Sequence, residues 1–226
     1  MYDFARDWQP MTLAPTIGFV PRTFIGKSHM LITLMQAHLE HIDEGGLLVF
    51  IDLEKAFDKC SWEYLHLAIR ALRFAPPFTT WTDMLYDESK GTKRQVLANG
   101  HLSKPYRVRV GAAQGCPLSP LLFLIIIEGF TRLLNNDKDL IGIKIGSLHK
   151  KVNHFADDSI AALRDELMLP RFNQHVDTFC EATSMAENLA KRDILPIGAF
   201  KNKPHSSFAG IRQVRSQTKG RLVNPG

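Results

Sequence analysis

Three aspartates occupy positions at which a carboxylate is costly to bury. Asp52 follows the apolar run Leu47–Ile51, and Asp157 and Asp158 lie between two further apolar segments. A carboxylate at the end of a buried strand needs a partner, because desolvating an unpaired charge is unfavourable. Mg²⁺ is one such partner, since it binds one or two carboxylates together with substrate phosphates and water. Two such ions, about 4 Å apart, can assist the attacking and leaving oxygens of phosphoryl transfer. Taken singly, the Asp-Asp pair is more typical of a surface turn or helix cap, and Asp52 of a strand end.

Two more segments have residue types that suit a nucleotide site. Glycines and prolines restrict the backbone of Gly111–Pro120, so Gln114 would present a donor and an acceptor from a rigid loop. Phe57 follows Asp52 by five residues and could pack against a sugar ring. The alternatives are an ordinary strand–turn–helix connection and a core phenylalanine, which is the commoner role of this residue type.

Apolar periodicity predicts the elements that would position these residues. The predicted strands are 47–51, 95–98, 106–110, 151–155, 159–163 and 194–197. The predicted helices are 28–40, a helix between Ser61 and Pro76-Pro77, 79–87, 120–134 and 170–185. Strands 95–98 and 106–110 are expected to pair as a hairpin, because Asn99-Gly100 between them is a strong turn signal. Strands and helices interleave along the chain, which predicts an α+β fold.

Basic charge is concentrated in two parts of the chain. Six of the 28 Lys and Arg residues, and none of the 23 Asp and Glu residues, lie in residues 199–226. The segment Ser89–Ile127 also lacks acidic residues. Its basic residues are Lys90, Lys93, Arg94, Lys104, Arg107 and Arg109. Such clustering suits a polyanion, because neutralising phosphates releases counterions. A solvated hairpin and a solvated tail explain the charge equally well.

Other features of the composition argue against membrane and secreted classes. The longest strongly apolar run, Leu121–Ile127, is far shorter than the roughly 20 residues that a helical span needs. The N-terminus lacks the pattern of a signal peptide. Cys60, Cys116 and Cys180 are widely spaced, which fits neither a disulfide framework nor a zinc site and suggests a reducing compartment.

Together, these segments resemble the signature boxes of non-LTR (LINE-like) reverse transcriptases. The matching segments are Ile17–Pro21, Phe50–Asp58, Gln114–Pro120, Phe155–Asp158, and Asn188–Lys191 followed by Leu195–Gly198. The first resembles a short fingers segment, the next three are central boxes in the family's order and spacing, and the last resembles a fourth box. The resemblance covers residues 17–198.

The resemblance implies a polymerase palm, which is a ferredoxin-like antiparallel sheet backed by helices. Residues 1–46 would be a partial fingers segment, and 47–198 the palm with a fingers insertion. Residues 199–226 would be a basic, poorly ordered tail. A helical thumb is expected to be missing, because the tail lacks apolar periodicity, and the chain is therefore predicted to be a truncated copy.

The resemblance also implies a metal site and a reaction. Asp52 and Asp157 would bind two Mg²⁺ ions, with Mn²⁺ as an alternative, and the Leu53 carbonyl would help. Asp158 would contribute charge beside them. The implied reaction joins a dNTP to a primer 3′-hydroxyl, with RNA as template and DNA as primer.

Nucleotide and nucleic-acid contacts follow from the same resemblance. Phe57 would lie under the incoming sugar and disfavour a 2′-hydroxyl, and Gln114 and Gly115 would line the nascent base pair. Lys191 would approach the triphosphate and could protonate the leaving pyrophosphate, although a solvated surface lysine is an equal alternative. The candidate nucleic-acid contacts on the basic hairpin are Lys93, Arg94, Arg107 and Arg109.

The chain departs from the family's pattern in two boxes, and other interpretations remain open. Arg22 and Thr23 stand where Gly-Arg is usual, and Ala113 where Arg or Lys is common. The alternatives are a non-catalytic nucleic-acid-binding remnant and a decayed reading frame without a stable product. An RNA-templated RNA polymerase or an intron maturase fits the boxes less well. A nuclear location is implied by the resemblance alone.

Overall fold

Helices and strands interleave through residues 26–87, 89–113, 115–155 and 158–202, which the computed structural model describes. The α-helices are α1 (Gly26–His41), α2 (Ala56–Lys59), α3 (Trp62–Ala71), α4 (Pro76–Leu85), α5 (Ser119–Asn136) and α6 (Leu169–Thr183), the last preceded by the 3₁₀-helix Glu166–Met168. The strands are β1 (Gly45–Glu54), β2 (Thr92–Arg94), β3 (Leu97–Ala98), β4 (His101–Leu102), β5 (Tyr106–Val108), β6 (Ile143–Ile145), β7 (Leu148–Lys150), β8 (Val152–Phe155), β9 (Asp158–Leu163), β10 (Ala186–Glu187) and β11 (Asp193–Gly198).

The main sheet is built around β1. On one side β1 pairs with β9, which pairs with β8, and on the other side it pairs with both β10 and β11. Every pairing among the described strands is antiparallel. Helices combined with antiparallel sheets confirm the predicted α+β class.

Helices cover both faces of this sheet, so β1 is buried on both sides. Leu47 and Val49 of β1 belong to the larger core cluster, to which α3, α5 and α6 contribute. Leu48 belongs to a second cluster with Met35 and Leu39 of α1. This two-sided burial explains why the sequence of β1 is a continuous apolar run rather than an alternating one.

The start of α3 agrees with the sequence prediction, whereas the role of the two prolines does not. Ser61 caps α3, its hydroxyl accepting a hydrogen bond from the Tyr64 backbone N–H. Pro76-Pro77 was predicted to end this helix, but α3 already ends at Ala71. The prolines instead begin α4, since proline suits the first turn, where no backbone N–H is required.

The strand pairing around Asn99-Gly100 also differs from the prediction. Both residues have positive φ angles, 50° and 79°, as a two-residue hairpin turn requires. This turn joins β3 to β4, which follows at once. The longer pairing is β2 with β5, so the predicted partnership of 95–98 with 106–110 is wrong.

Several short elements were not predicted from the sequence. The hairpin of β6 and β7 turns at Gly146, and β10 has two residues. Elements this short carry too few residues to show a period. Within the described ranges, no helix is long and apolar enough to cross a membrane.

Candidate active site

The pairing of β1 with β9 brings two of the predicted site residues side by side. Asp52 and Asp158 are Cα partners in this antiparallel pair. Directly opposed residues project from the same face of a sheet. Both aspartates line one cavity of about 370 Å³, together with Asn153, Ser159 and Lys191 among others. Two carboxylates therefore meet at one surface depression.

Lys191 and Asn188 provide the polar contacts of the Asp52 carboxylate. The Lys191 ammonium lies 3.0 Å from Asp52 Oδ2, and the Asn188 side-chain amide donates to the same oxygen over 3.2 Å. The Asn188 backbone N–H also donates to the Asp52 carbonyl over 2.8 Å. The Asp52 side chain is 18% exposed and that of Lys191 is 65% exposed, so the cation reaches the carboxylate from the solvent side.

The connection between β8 and β9 contains the other predicted acid. Phe155 and Asp158 are Cα partners, so two residues join the strands. These residues, Ala156 and Asp157, lie outside the described part of the chain. Below them, buried His154 and Ser159 are cross-strand partners, with 2.6 Å between His154 Nδ1 and Ser159 Oγ. This hydrogen bond fixes the two strands directly below the turn.

The His154 imidazole is expected to make the stability of the fold depend on pH. Burial away from water, helped by the nearby Lys150 charge, lowers the pKa of His154 to about 3. In the unfolded chain the pKa returns to about 6.5. Between these values only the unfolded state gains the proton, so stability falls as the pH falls below about 6.5.

We expect the free energy of unfolding to decrease by about 2 kcal/mol from this group alone between about pH 7.5 and about pH 5. Urea titrations at the two pH values measure the change. His154→Asn, which can keep a hydrogen bond to Ser159, should lose most of this pH dependence. His101→Asn at the exposed hairpin turn is the control and should retain it. Equal pH dependence in His154→Asn and the unchanged chain would contradict the assignment.

Leu53 and Phe57 follow Asp52 but are not among the described residues that line its cavity. Leu53 is buried and pairs with Glu187 of β10. Phe57 lies in α2, half-buried, and its ring stacks on Phe123 of α5 with 4.8 Å between centroids. Packing thus holds Phe57 against the core while part of its surface remains accessible.

The Gly111–Pro120 loop is docked on α2. The Ala112 backbone N–H donates to the Phe57 carbonyl over 2.6 Å, and the Gly111 N–H donates to Cys60 over 2.8 Å. The Trp62 indole donates to the Gly111 carbonyl over 2.8 Å. Hydrogen bonds that involve backbone atoms therefore join the Phe50–Asp58 segment to the Gly111–Pro120 loop.

The structure describes one of the two predicted nucleotide contacts of this loop. Gly115 has a positive φ of 82°, and a Cβ built on it would meet no atom within 4 Å. Gly115 thus lies at an open, left-handed position of the loop. Gln114 lies outside the described residues.

Three of the four predicted nucleic-acid contacts lie on the separate ribbon of β2 and β5, and the fourth, Arg109, follows β5 directly. Lys93 and Arg107 are directly opposed across this ribbon, and both are exposed, as is Arg109. Arg94 is half-buried opposite Tyr106. Two directly opposed cations destabilise a strand pair unless a counter-charge is present. The ribbon therefore concentrates positive charge, and the Arg107 guanidinium also donates to the Lys90 carbonyl.

Comparison with known proteins decides the family. The model of the family described as reverse transcriptase (RNA-dependent DNA polymerase) matches residues 11–210. The chain belongs to the reverse transcriptase family. The match includes every box on which the resemblance was based.

Relatives of this reverse transcriptase domain are proteins of transposable elements. A Xenopus laevis protein, the transposon TX1 uncharacterized 149 kDa protein, is 30% identical over 151 residues, which are 67% of this chain and 11% of that protein. The retrovirus-related Pol polyprotein from the type-2 retrotransposable element R2DM of Drosophila melanogaster is 27% identical over 143 residues, 63% of this chain and 13% of that protein. The chain thus spans about a tenth to an eighth of these relatives. They confirm the predicted kinship with non-LTR retrotransposon reverse transcriptases.

Solved structures show the same fold. Telomerase from Candida tropicalis, in complex with a TWJ fragment of telomeric RNA, has a TM-score of 0.58 at 10% identity, over 76% of this chain and 29% of that chain. The Candida albicans telomerase complex has a TM-score of 0.54 at 11% identity, over 78% and 32%. The reverse transcriptase domain therefore has a polymerase fold with mixed helices and antiparallel sheets.

Asn188 is a site residue to which sequence reasoning gave no role. The sequence shows it only as the first residue of the fourth box. Its contact with Asp52 spans 136 positions, and only the pairing of β10 with β1 brings the two residues together. A side-chain amide three residues before a lysine was the available signal, and it was too weak to interpret alone.

Proposed function

We propose that this chain is the palm-centred core of an RNA-directed DNA polymerase, which adds dNTPs to a primer 3′-hydroxyl on an RNA template. The observation that carries the proposal is the placement of Asp52 and Asp158 opposite one another in a cavity that Lys191 also lines. Residues 47–198 would form the palm with a fingers insertion, residues 1–46 a partial fingers segment and residues 199–226 a basic tail.

The donor set of this cavity fits Mg²⁺. Mg²⁺ takes one or two protein carboxylates and completes its shell with substrate phosphates and water. We assign Asp52, Asp157 and the Leu53 carbonyl as ligands, with Asp158 as an adjacent negative charge. A pair of such ions would lower the pKa of the attacking hydroxyl and stabilise the leaving oxygen. Mn²⁺, which also accepts oxygen ligands, is the alternative ion.

The protein's own groups would orient the nucleotide and move a proton. The Lys191 ammonium, close to Asp52 and largely exposed, can turn towards a triphosphate and donate a proton to the departing pyrophosphate. Gln114 and Gly115 would line the base pair from a loop that is docked on α2. The stacked ring of Phe57 would close the space below the sugar.

Shortening Phe57 should relax selection against the 2′-hydroxyl. Phe57→Val is expected to raise incorporation of rNTPs relative to dNTPs by roughly 10- to 100-fold, the effect of a few methylene-sized groups on specificity. Competing rNTP and dNTP incorporation opposite one template base measures this ratio. Phe74→Val is the matched control, because Phe74 stacks on Phe78 in a similar pair elsewhere. An equal shift in both variants would contradict the role of Phe57.

The ribbon of β2 and β5 would hold the backbones of RNA template and DNA primer. The double variant Lys93→Gln/Arg107→Gln is expected to bind nucleic acid with a weaker salt dependence. The slope of the logarithm of the binding constant against the logarithm of salt concentration should fall in magnitude by about two, about one for each lost phosphate contact. Fluorescence anisotropy with an RNA–DNA duplex at several salt concentrations measures the slope. Lys138→Gln/Arg73→Gln removes two exposed cations elsewhere and should leave it unchanged. The same slope in the ribbon variant and the unchanged chain would exclude the ribbon from the interface.

Primer extension on an RNA template with Mg²⁺ tests the proposed function. A folded sample should incorporate dNTPs, and Asp157→Asn should abolish incorporation. The second candidate is a non-catalytic nucleic-acid-binding remnant, which is favoured by the exposed, opposed cations of the ribbon. It predicts salt-sensitive binding without incorporation, and indifference of that binding to Asp52→Asn. A cooperatively folded sample that binds duplex but never extends the primer would therefore contradict the polymerase and support the non-catalytic remnant.

A further inference from the structure

A five-residue turn lies opposite the end of β1 that carries Asp52. β11 pairs with β1 up to Phe50, and β10 pairs with it from Leu53. Residues 188–192, which we call the catalytic-edge turn, therefore stand opposite only two residues of β1. Extra residues in one strand of a pair bend it and re-aim its side chains. Here the re-aimed residues include Asn188 and Lys191, which both reach Asp52.

A buried ion pair closes the base of the catalytic-edge turn. Arg192 and Glu187 stand at its two ends, with 3.3 Å between Arg192 Nη1 and Glu187 Oε2, and both side chains are 8% exposed. Arg192 Nη2 also donates to the Asn173 side chain of α6. The guanidinium carbon lies 5.8 Å from the centroid of the Phe172 ring. Arg192 thus joins both ends of the turn to a helix of the core.

Stability alone is a poor explanation for this ion pair. Desolvation of two charges offsets much of their attraction, and a buried pair can often be replaced by apolar side chains without loss of stability. Burial raises the pKa of the Glu187 carboxyl, with the nearby Asp177 charge adding to the shift and the Arg192 charge opposing it. The planar guanidinium of Arg192 holds its N–H donors in a fixed geometry. Such a group is instead suited to setting the distance between the segments that it joins.

We propose that Arg192 is a positioning residue, which through Glu187 and Asn173 holds the catalytic-edge turn so that Lys191 and Asn188 reach Asp52. The part of this inference that concerns catalysis rests on the proposed function. In that reaction Arg192 acts on the nucleotide through Lys191 and touches no reacting atom itself.

Amine acylation of Lys191 tests the proposal without any need for polymerase activity. The full chain is labelled briefly with an acetylating reagent, and the modification of Lys191 relative to exposed Lys138 is read by peptide mass spectrometry. Arg192→Met should raise Lys191 labelling about two- to fivefold, the range expected for loss of a largely exposed ion pair. Asp52→Asn should raise it equally, and Arg192→Met should add nothing in the Asp52→Asn background. Arg164→Met makes the same substitution at an exposed arginine after β9 and should leave labelling unchanged.

Two further variants separate positioning from a loss of folding. Glu187→Gln keeps the size of the side chain, and Glu187→Met/Arg192→Met replaces the ion pair by apolar side chains that can be buried. Both should unfold cooperatively and still show raised Lys191 labelling. Unchanged Lys191 labelling in these folded variants would overturn the proposal.

A kinetic cycle then connects the position of the turn to the reaction. If Arg192 acts through Lys191 and Asn188, Arg192→Met should lower kcat in the unchanged chain and have no further effect in the Lys191→Met/Asn188→Ala background. Additive losses would show that Arg192 acts by another route and would overturn the positioning role in catalysis. Absence of incorporation by the unchanged chain would contradict the proposed function, whereas the labelling result would still decide the role of Arg192 in the fold.

Discussion

Asp52→Asn is expected to lower RNA-templated dNTP incorporation by at least ~10²-fold, the usual cost of removing one group that stabilises transition-state charge. The amide can still accept a hydrogen bond from Asn188, so the local backbone should survive. It no longer offers the charge that a divalent ion or the Lys191 ammonium requires. The loss should therefore appear in the rate of incorporation, with duplex binding on the separate ribbon of β2 and β5 nearly unchanged.

The same substitution should leave the fold intact. Asp52 and Asp158 are like charges directly opposed on adjacent strands, an arrangement that destabilises a sheet. Removing one charge should change the free energy of unfolding by less than about 0.5 kcal/mol or increase it slightly. Asp139→Asn, which removes an exposed carboxylate paired with Arg171, is the control and should retain full incorporation. Full incorporation by Asp52→Asn would remove Asp52 from the site.

Gly111→Ala is expected to destabilise the fold by about 3 kcal/mol or more. Gly111 has a φ of 77°, where a Cβ atom costs about 1–2 kcal/mol. An alanine Cβ would also lie 2.4 Å from the Asp58 carbonyl oxygen, a backbone atom that cannot rotate away. The loop would have to move off α2, breaking the backbone hydrogen bonds to Phe57 and Cys60. Incorporation of dNTPs should fall together with stability, because the loop would separate from the Phe50–Asp58 segment.

Gly100→Ala is the matched control for this prediction. Gly100 has nearly the same φ, 79°, but a Cβ built on it meets no atom within 4 Å. Only the cost of a Cβ atom in the left-handed conformation remains, so the free energy of unfolding is expected to fall by about 1 kcal/mol. Urea denaturation of both variants measures the difference. Equal losses would show that the close approach of Gly111 to Asp58 contributes nothing to the docking of the loop.

The long elements and the acid that ends β1 could be predicted from the sequence because burial leaves a periodic signal. The apolar run before Asp52 predicted the central strand, and the nearly continuous apolar segment after Pro120 predicted α5. Each of these patterns extends over several residues, and each position in it reflects the burial of its own side chain. The family was predicted from the order and spacing of its boxes, which single motifs could not have decided.

The contacts that complete the site could not be predicted in the same way. The turn at Asn99-Gly100 directly joins the short strands β3 and β4. It therefore does not show that β2 pairs with β5. The approach of Asn188 to Asp52 depends on the register of β10, which pairs with β1 directly before Asn188. These are relations between distant segments, and the residues at either end have no pattern that reveals the other.

Iron-dependent backbone cleavage can show whether Asp52 shares a metal site with Asp157 and Asp158, because it reports where a divalent ion binds without requiring turnover. Fe²⁺ placed in a Mg²⁺ site reduces added hydrogen peroxide to hydroxide and a hydroxyl radical, which cuts the nearest backbone. If the site is shared, cuts are expected both near Asp52 and near Asp157 and Asp158, suppressed by Mg²⁺ and lost together in Asp52→Asn. Cleavage at one segment alone, or cuts near Asp157 that persist in Asp52→Asn, would contradict a shared metal site.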